Sequence, residues 1–407
     1  MGCFTSSINT KNEIPPNQEK EFKEKDLNQI NENKNKQIIK YEKLGNNENE
    51  NKQIKYEKLG SNENEIINKI YRIKLKYKRN EGKLGKFKII GDKFNENISI
   101  IIDDKEINDK YYTTDKEEIV AELVIKGNII NFSHMFDDCN CLTDITELKN
   151  LDVSKGQNFE YMLYNCNKLQ NLDALVNWNV SNSKNFRSMF SGCERLLNLN
   201  GLINWNVSNS NNFSSMFSGC EGLKNLDGLK SWNVSNGKNF FRMFRKCKNI
   251  INIDGLGNWN TLNDNLRGMF EECKNLINLE GLKNWNVSNV TDFSYMFHDC
   301  NKLENIEGLK NWNVSKGTDF SSMFCDCYQL ENLDALNNWN ILNAKNFSQM
   351  FRACKNLDKI NGLNNWNVSN VNNFRDIFFN CKNLKNLDEF KTSQFYKTCN
   401  KASDLRL

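Results

Sequence analysis

The chain has 407 residues, 38% of them hydrophobic, and its 55 Lys and Arg nearly balance 51 Asp and Glu, for a net charge of +4. So small an excess gives no footing for a nucleic-acid binder, which concentrates basic charge. No stretch approaches the ~18 consecutive apolar residues of a membrane-crossing helix, and two histidines, His134 and His298, exclude chemistry built on a histidine cluster.

The sequence opens Met-Gly-Cys-Phe-Thr-Ser. Gly2 with Ser6 fits the acceptor pattern for N-myristoylation, and Cys3 beside it is a natural palmitoyl site. One myristoyl chain binds a membrane marginally and a second acyl chain makes the binding stable, so the two are read together. Residues 5–30 are polar and lack the apolar run of a secretory leader. The expected location is therefore the cytoplasmic face of a membrane in a eukaryotic host, as a peripheral, lipid-anchored protein. Residues 1–65 are rich in Asn, Lys and Glu, carry a duplicated unit at 35–50 and 51–65, and are expected to form a disordered tether. Eleven basic and twelve acidic residues in this segment do not make a polybasic clamp.

Residues 66–128 read as a small β-rich module. Tyr71, Ile73, Leu75 and Tyr77 alternate with Arg72, Lys74, Lys76 and Lys78, which predicts a strand with one apolar and one basic face. Segments 86–90, 98–102 and 119–125 predict further strands. Between Lys69 and Lys93 ten residues are basic and two acidic, a patch that could face anionic lipid or simply be solvated.

From residue 129 to 390 the chain repeats. Cys139, Cys166, Cys193, Cys220, Cys247, Cys273, Cys300, Cys327, Cys354 and Cys381 follow one another at 27 residues, with a single step of 26 before Cys273. Eight tryptophans, from Trp178 to Trp366, keep the same beat. Such a period means stacked structural units, not disulfide pairs. One clean unit holds Phe213, Met216, Phe217, Cys220, Leu223, Leu226, Leu229, Trp232 and Val234; ten units begin at Phe132 and end with the copy that starts at Phe374. The offsets 0, 3, 4 and 7 from Phe to Cys predict one face of a helix, with Ser208-Asn209 as its N-cap type. The Leu-x-x-Leu-x-x-Leu stretch is expected to hold a short strand. The first and last copies lack the tryptophan, as capping repeats do, and residues 391–407 are expected to be a C-terminal cap or tail.

The Met-Phe-x-x-Cys-x-x-Leu core and the segment Trp-Asn-Val-Ser-Asn-Val-Thr-Asp-Phe, at 285–293, resemble the BspA-type leucine-rich-repeat family. The resemblance implies an α/β leucine-rich-repeat solenoid of about ten 27-residue units, with no catalytic site to carry over. Family members are best known as bacterial and protist surface proteins that bind other proteins.

The repeat cysteines sit among apolar positions and read as small buried hydrophobes. Cys139-Asn140-Cys141 and Cys325-Asp326-Cys327 lack a second pair to complete a zinc site, and His134 and His298 lie in different repeats, so no metal or cofactor is expected. The recurring Asn-Val-Ser triplets would accept glycans in a secreted chain and are expected to be unmodified here. An asparagine column (Asn171, Asn198, Asn225, Asn252) is expected to bond backbone groups of adjacent coils. Two residues on comes a mostly acidic column: Asp173, Asp227, Asp254, Glu280, Glu307, Asp334 and Asp388. Like charges stacked one coil apart repel, so this stripe is a candidate surface for a basic protein partner, against the plainer reading of solvated turn residues. The expected function is a non-enzymatic, membrane-tethered module that recruits partner proteins and binds no nucleic acid. The alternatives are an extracellular BspA-like adhesin, or an enzyme or regulator seated in 66–128, a segment without His or Cys.

Overall fold

The computed structural model of the protein describes residues 68–79, 85–96, 98–259, 265–384 and 395–397, together with the backbone of 54–57. The anchor residues Gly2 and Cys3, most of the expected tether, and Asp388 lie outside the described residues.

The N-terminal module is a sheet whose strands run β1 (Ile54–Glu57), β2 (Asn68–Lys78), β7 (Glu118–Lys126), β4 (Ile98–Ile102) and β5 (Lys105–Ile107) in spatial order, with β3 (Gly85–Lys88) and β6 (Tyr111–Thr114) paired separately. The expected alternation of β2 is present, since Tyr71, Ile73, Leu75 and Tyr77 are all buried. The expected basic face is not a free patch. Lys69 pairs with Asp152 at 3.1 Å, Arg72 with Glu122 at 3.2 Å, Lys76 with Asp144 at 2.9 Å, and Lys78 with Glu118. The bond to Asp144 raises the Lys76 ammonium pKa and the bond to Lys78 lowers that of the Glu118 carboxyl, so these charges already serve each other. Strand β1 falls inside the segment expected to be a solvated tether. It pairs antiparallel with β2, Ile54 opposite Tyr71, so the module begins before residue 66.

The module is continuous with the repeats. Strand β8 (Leu142–Asp144), in the first coil, pairs with β2, and the strand's apolar face joins Phe132, Met135 and Phe136 in one buried core. Beyond it the repeats stack as a leucine-rich-repeat-type solenoid, each coil carrying one 3-10 turn at Asp-Gly-Leu or its equivalent, as at Asp227–Leu229 and Asp254–Leu256. Phe, Met, Phe, Cys, the three Leu/Ile positions and Trp all point inward. Matching rings lie on one another from coil to coil: Trp205 on Trp232 at 6.3 Å and 3°, and Phe217 on Phe244 at 5.7 Å and 2°. At the far end Phe395, fully buried, sets its ring against Trp366 and Phe374 and closes the last coil.

Two local expectations are overturned. The Phe-to-Cys segment is not a helix. In the coil beginning at Phe213, the amides of Phe213, Ser215, Phe217 and Gly219 donate to the carbonyls of Asn239, Phe241, Met243 and Arg245 in the next coil. The amides between them close tight turns instead, Met216 to Phe213 and Cys220 to Phe217. Residues two and six after each Phe are left-handed, for example Ser215 at φ 54° and Gly219 at φ 77°, which no α-helix allows. Among the described residues, the leucine stretch holds the expected short strand only in the first coil, as β8, with single bridges at Asn278–Asn305 and Asn332–Lys359. The parallel bridges run chiefly through the residue before each Phe, as Asn185 to Asn212 and Asn212 to Asn239.

The left-handed positions generate a prediction. For a side chain with a Cβ, that conformation costs roughly 1–2 kcal/mol. Ser215→Gly should therefore raise the urea midpoint, by about 1 kcal/mol of stability. Gly219→Ala should lower it by a similar amount, since its added Cβ meets nothing nearer than 3.5 Å. Gly192→Ala should cost more, because at φ 78° its Cβ would also stand 2.1 Å from Asn165 Oδ1. Equal effects at 192 and 219 would contradict the packing.

Candidate functional site

The acidic column occupies the first position of successive 3-10 turns, and Asp173, Asp227, Asp254, Glu280, Glu307 and Asp334 are all exposed. The asparagine two residues earlier does not reach the next coil through its side chain. Asn225 Oδ1 accepts the amide of Asp227 at 3.2 Å, an Asx turn within its own coil. Asn171, Asn278 and Asn305 do the same for Asp173, Glu280 and Glu307. Three residues after the acid, the sequence places Lys230, Lys283 and Lys310, and Lys310 Nζ is 3.7 Å from Glu307 Oε2. The stripe is thus outward-facing, as expected, but flanked by its own cations.

The asparagine that does span coils is the one closing Asn-Val-Ser-Asn. Asn209 Nδ2 donates to the Ser181 carbonyl at 2.9 Å, and Asn236 Nδ2 to that of Ser208 at 2.7 Å.

The repeat cysteines are free thiols, buried from Cys139 to Cys354 and half-buried at Cys381. Each from Cys166 onward directs its Sγ at a carbonyl of the preceding coil, Cys220 at Phe190 (3.2 Å) and Cys247 at Phe217 (3.1 Å). Burial pushes these thiols up, Cys193 to about 12, which makes them poor nucleophiles. His134 is also tied down. Its Nδ1 lies 2.6 Å from Asp137 Oδ2 and its ring stacks on Tyr161 at 4.9 Å.

A second surface was not signalled by any motif. The segment that carries the inter-coil ladder keeps four positions per coil off the inward column, at offsets 1, 2, 5 and 6 from each Phe; most are half-buried, and some, such as Ser214, Glu271 and Cys325, are buried. The inward offsets repeat in every coil, while these four change. One coil holds Ser214, Ser215, Ser218 and Gly219 at these offsets; the next holds Phe241, Arg242, Arg245 and Lys246. Aromatic and guanidinium groups collect here. Arg187 lies over Tyr161 at 5.6 Å, Arg267 over Tyr295 at 4.9 Å, and Arg352 over Phe379, which is 40% exposed, at 5.6 Å. Arg242 and Arg245 hold Glu271 and Glu272, Arg245 to Glu272 at 2.7 Å. The signal that could have found this face is departure from the repeat at fixed offsets.

The thiol geometry predicts reactivity. Native protein should lose Cys141, half-buried, to a thiol reagent well before Cys139 or any column cysteine from Cys166 to Cys354, which should react only on unfolding. Mass-spectrometric mapping of alkylation reads this, and native disulfides between successive coils would contradict it.

A family model described as "Mycoplasma protein of unknown function, DUF285" matches residues 126–198, 170–276, 243–359 and 304–403. No curated protein matches the sequence. Among solved structures, a leucine-rich repeat protein from Eubacterium ventriosum ATCC 27560 is similar at 12% identity and a TM-score of 0.25, covering 58% of this chain and 72% of that one.

Proposed function

The chain belongs to the DUF285 family, and we propose that it is a non-enzymatic recruitment module, held at the cytoplasmic face of a membrane by acyl chains on Gly2 and Cys3, whose solenoid surface binds partner proteins. The observation that carries the reading is the contrast between a repeated interior and a changing exterior on the ladder face. The changing positions hold the half-buried side chains of Tyr161, Phe241, Arg267, Tyr295 and Arg352. Tyr and Arg are the side chains that dominate protein interfaces. The acidic column, from Asp173 to Asp334, contributes long-range steering of a basic partner. The twelve free cysteines among the described residues fit a reducing compartment, and the two acceptor residues at the N-terminus fit a stable two-chain anchor.

Two measurements test this. Fractionation of host cells should find the intact chain on membranes and the Gly2→Ala form in the soluble fraction; full membrane retention of Gly2→Ala would sink the anchor. Partner capture should compare two sets of variants of the full chain. Tyr161→Ala with Tyr295→Ala should abolish the principal contact, at ~2 kcal/mol or more for a central anchor. Asp227→Asn, Asp254→Asn, Glu280→Asn and Glu307→Asn together should leave folding intact, because Asn200 and Asn361 already fill this turn position in two coils. That column variant should weaken binding and flatten its salt dependence. A partner set that both variants bind unchanged, at low and high salt, would overturn recruitment through these surfaces.

A further inference from the structure

A step of one coil carries residue 298 onto residue 325, and both stand five positions after their Phe on the ladder face. There the fold brings together three different donors from two coils. Ligand atoms of His298, Cys325 and Asp326 all lie within 4.8 Å of one another. Cys325 Sγ is 3.2 Å from Asp326 Oδ2, and His298 Nε2 is 3.9 Å from the same oxygen. A tetrahedral zinc ion, with bonds of ~2.0–2.3 Å, spaces its N, O and S donors about 3.3–3.8 Å apart. The observed separations bracket that range, so small side-chain rotations suffice. The thiol is buried while the imidazole and carboxylate are 27% and 22% exposed, so the cluster is reached from solvent. His298 Nδ1 is buried with no hydrogen-bond partner among the described residues, so no protein group sets the tautomer of the ring.

We propose that His298, Cys325 and Asp326 form a binding site for a zinc-type divalent transition metal that links two adjacent coils. A nitrogen, a thiolate and a carboxylate suit a borderline ion and not the hard, all-oxygen shells of calcium or magnesium. The cations and anions facing the site set its strength. Asp299 adds negative charge nearby but is held by Lys274 at 3.1 Å. Arg352 Nη1, 4.0 Å from Asp326 Oδ2, is the cation that opposes the metal. Tyr328 stands near Asp326 in the same coil. Binding releases the Cys325 thiol proton to solvent as the sulfur–metal bond forms.

The test is cobalt(II) titration of the full-length, reduced, chelator-stripped chain, read by absorbance. One equivalent should produce tetrahedral ligand-field bands together with thiolate-to-cobalt charge transfer, and zinc(II) should displace it. Cys325→Ser should abolish the charge transfer. His298→Gln should weaken binding by at least about 10–100-fold, the range that changes outside the ligand shell alone can produce. Arg352→Gln should tighten binding, which a site elsewhere would not show. Circular dichroism of each variant checks that the solenoid is intact, and Cys141→Ser should bind as the parent does. Absence of charge transfer at millimolar cobalt, or its persistence in Cys325→Ser, would overturn the proposal.

Discussion

Every coil of this solenoid is held by hydrogen bonds that its neighbour supplies. The alternate amides of the Phe-to-Cys segment have no acceptor in their own coil; Phe217 needs Met243 and Gly219 needs Arg245. The return contacts run the other way. Trp232 Nε1 donates to the Leu202 carbonyl at 2.9 Å, and the equivalent bond recurs from Trp178 to Trp366. Without a neighbour these amides turn to water and the rings are bared, so a lone coil gains neither the net ~0.5–1.5 kcal/mol of each bond nor the burial of its apolar side chains. This dependence explains why both ends are covered. The N-terminal sheet pairs β8 with β2 over the first coil, and Phe395 plugs the last. Nearest-neighbour coupling of this kind makes stability a sum over interfaces.

The repeat, its register and its inward residues were legible because burial recurs at fixed offsets. The local conformation was not, and the reason is geometric. Two consecutive four-residue turns place residues 0, 3, 4 and 7 on the inside, and so does a helix. Periodicity alone cannot separate the two. The residues at offset 6 could have done so, since Gly192, Gly219, Asn165 and Asp299 are types that accept a left-handed backbone. Asparagine abundance has the same origin. Each regular coil uses three Asx turns: in one, Asn198, Asn206 and Asn212 cap the amides of Asn200, Ser208 and Ser214. The column expected to stitch coils together through side chains instead shapes each coil from within, and the stitching falls to Asn182, Asn209 and Asn236.

The surface proposed for partner binding was legible only in part for a related reason. Repeating residues announce themselves, and the acidic column did, with its exposure as expected. Its flanking lysines were visible in the sequence too, but their relevance depends on the 3-10 turn that brings Lys310 to Glu307. Recognition needs positions that change from coil to coil, and these carry no motif. His298 and Cys325 look unrelated in a linear chain, and they become neighbours once the 27-residue step is applied as a spatial one.

The direct measurement is NMR detection of scalar couplings across hydrogen bonds in the deuterated chain. The ladder predicts a coupling between the amide nitrogen of Phe217 and the carbonyl carbon of Met243, and likewise between Phe244 and Met269. A coupling from Phe217 to the carbonyl of Phe213, the i to i−4 bond of a helix, would contradict the ladder and the coil-to-coil dependence built on it.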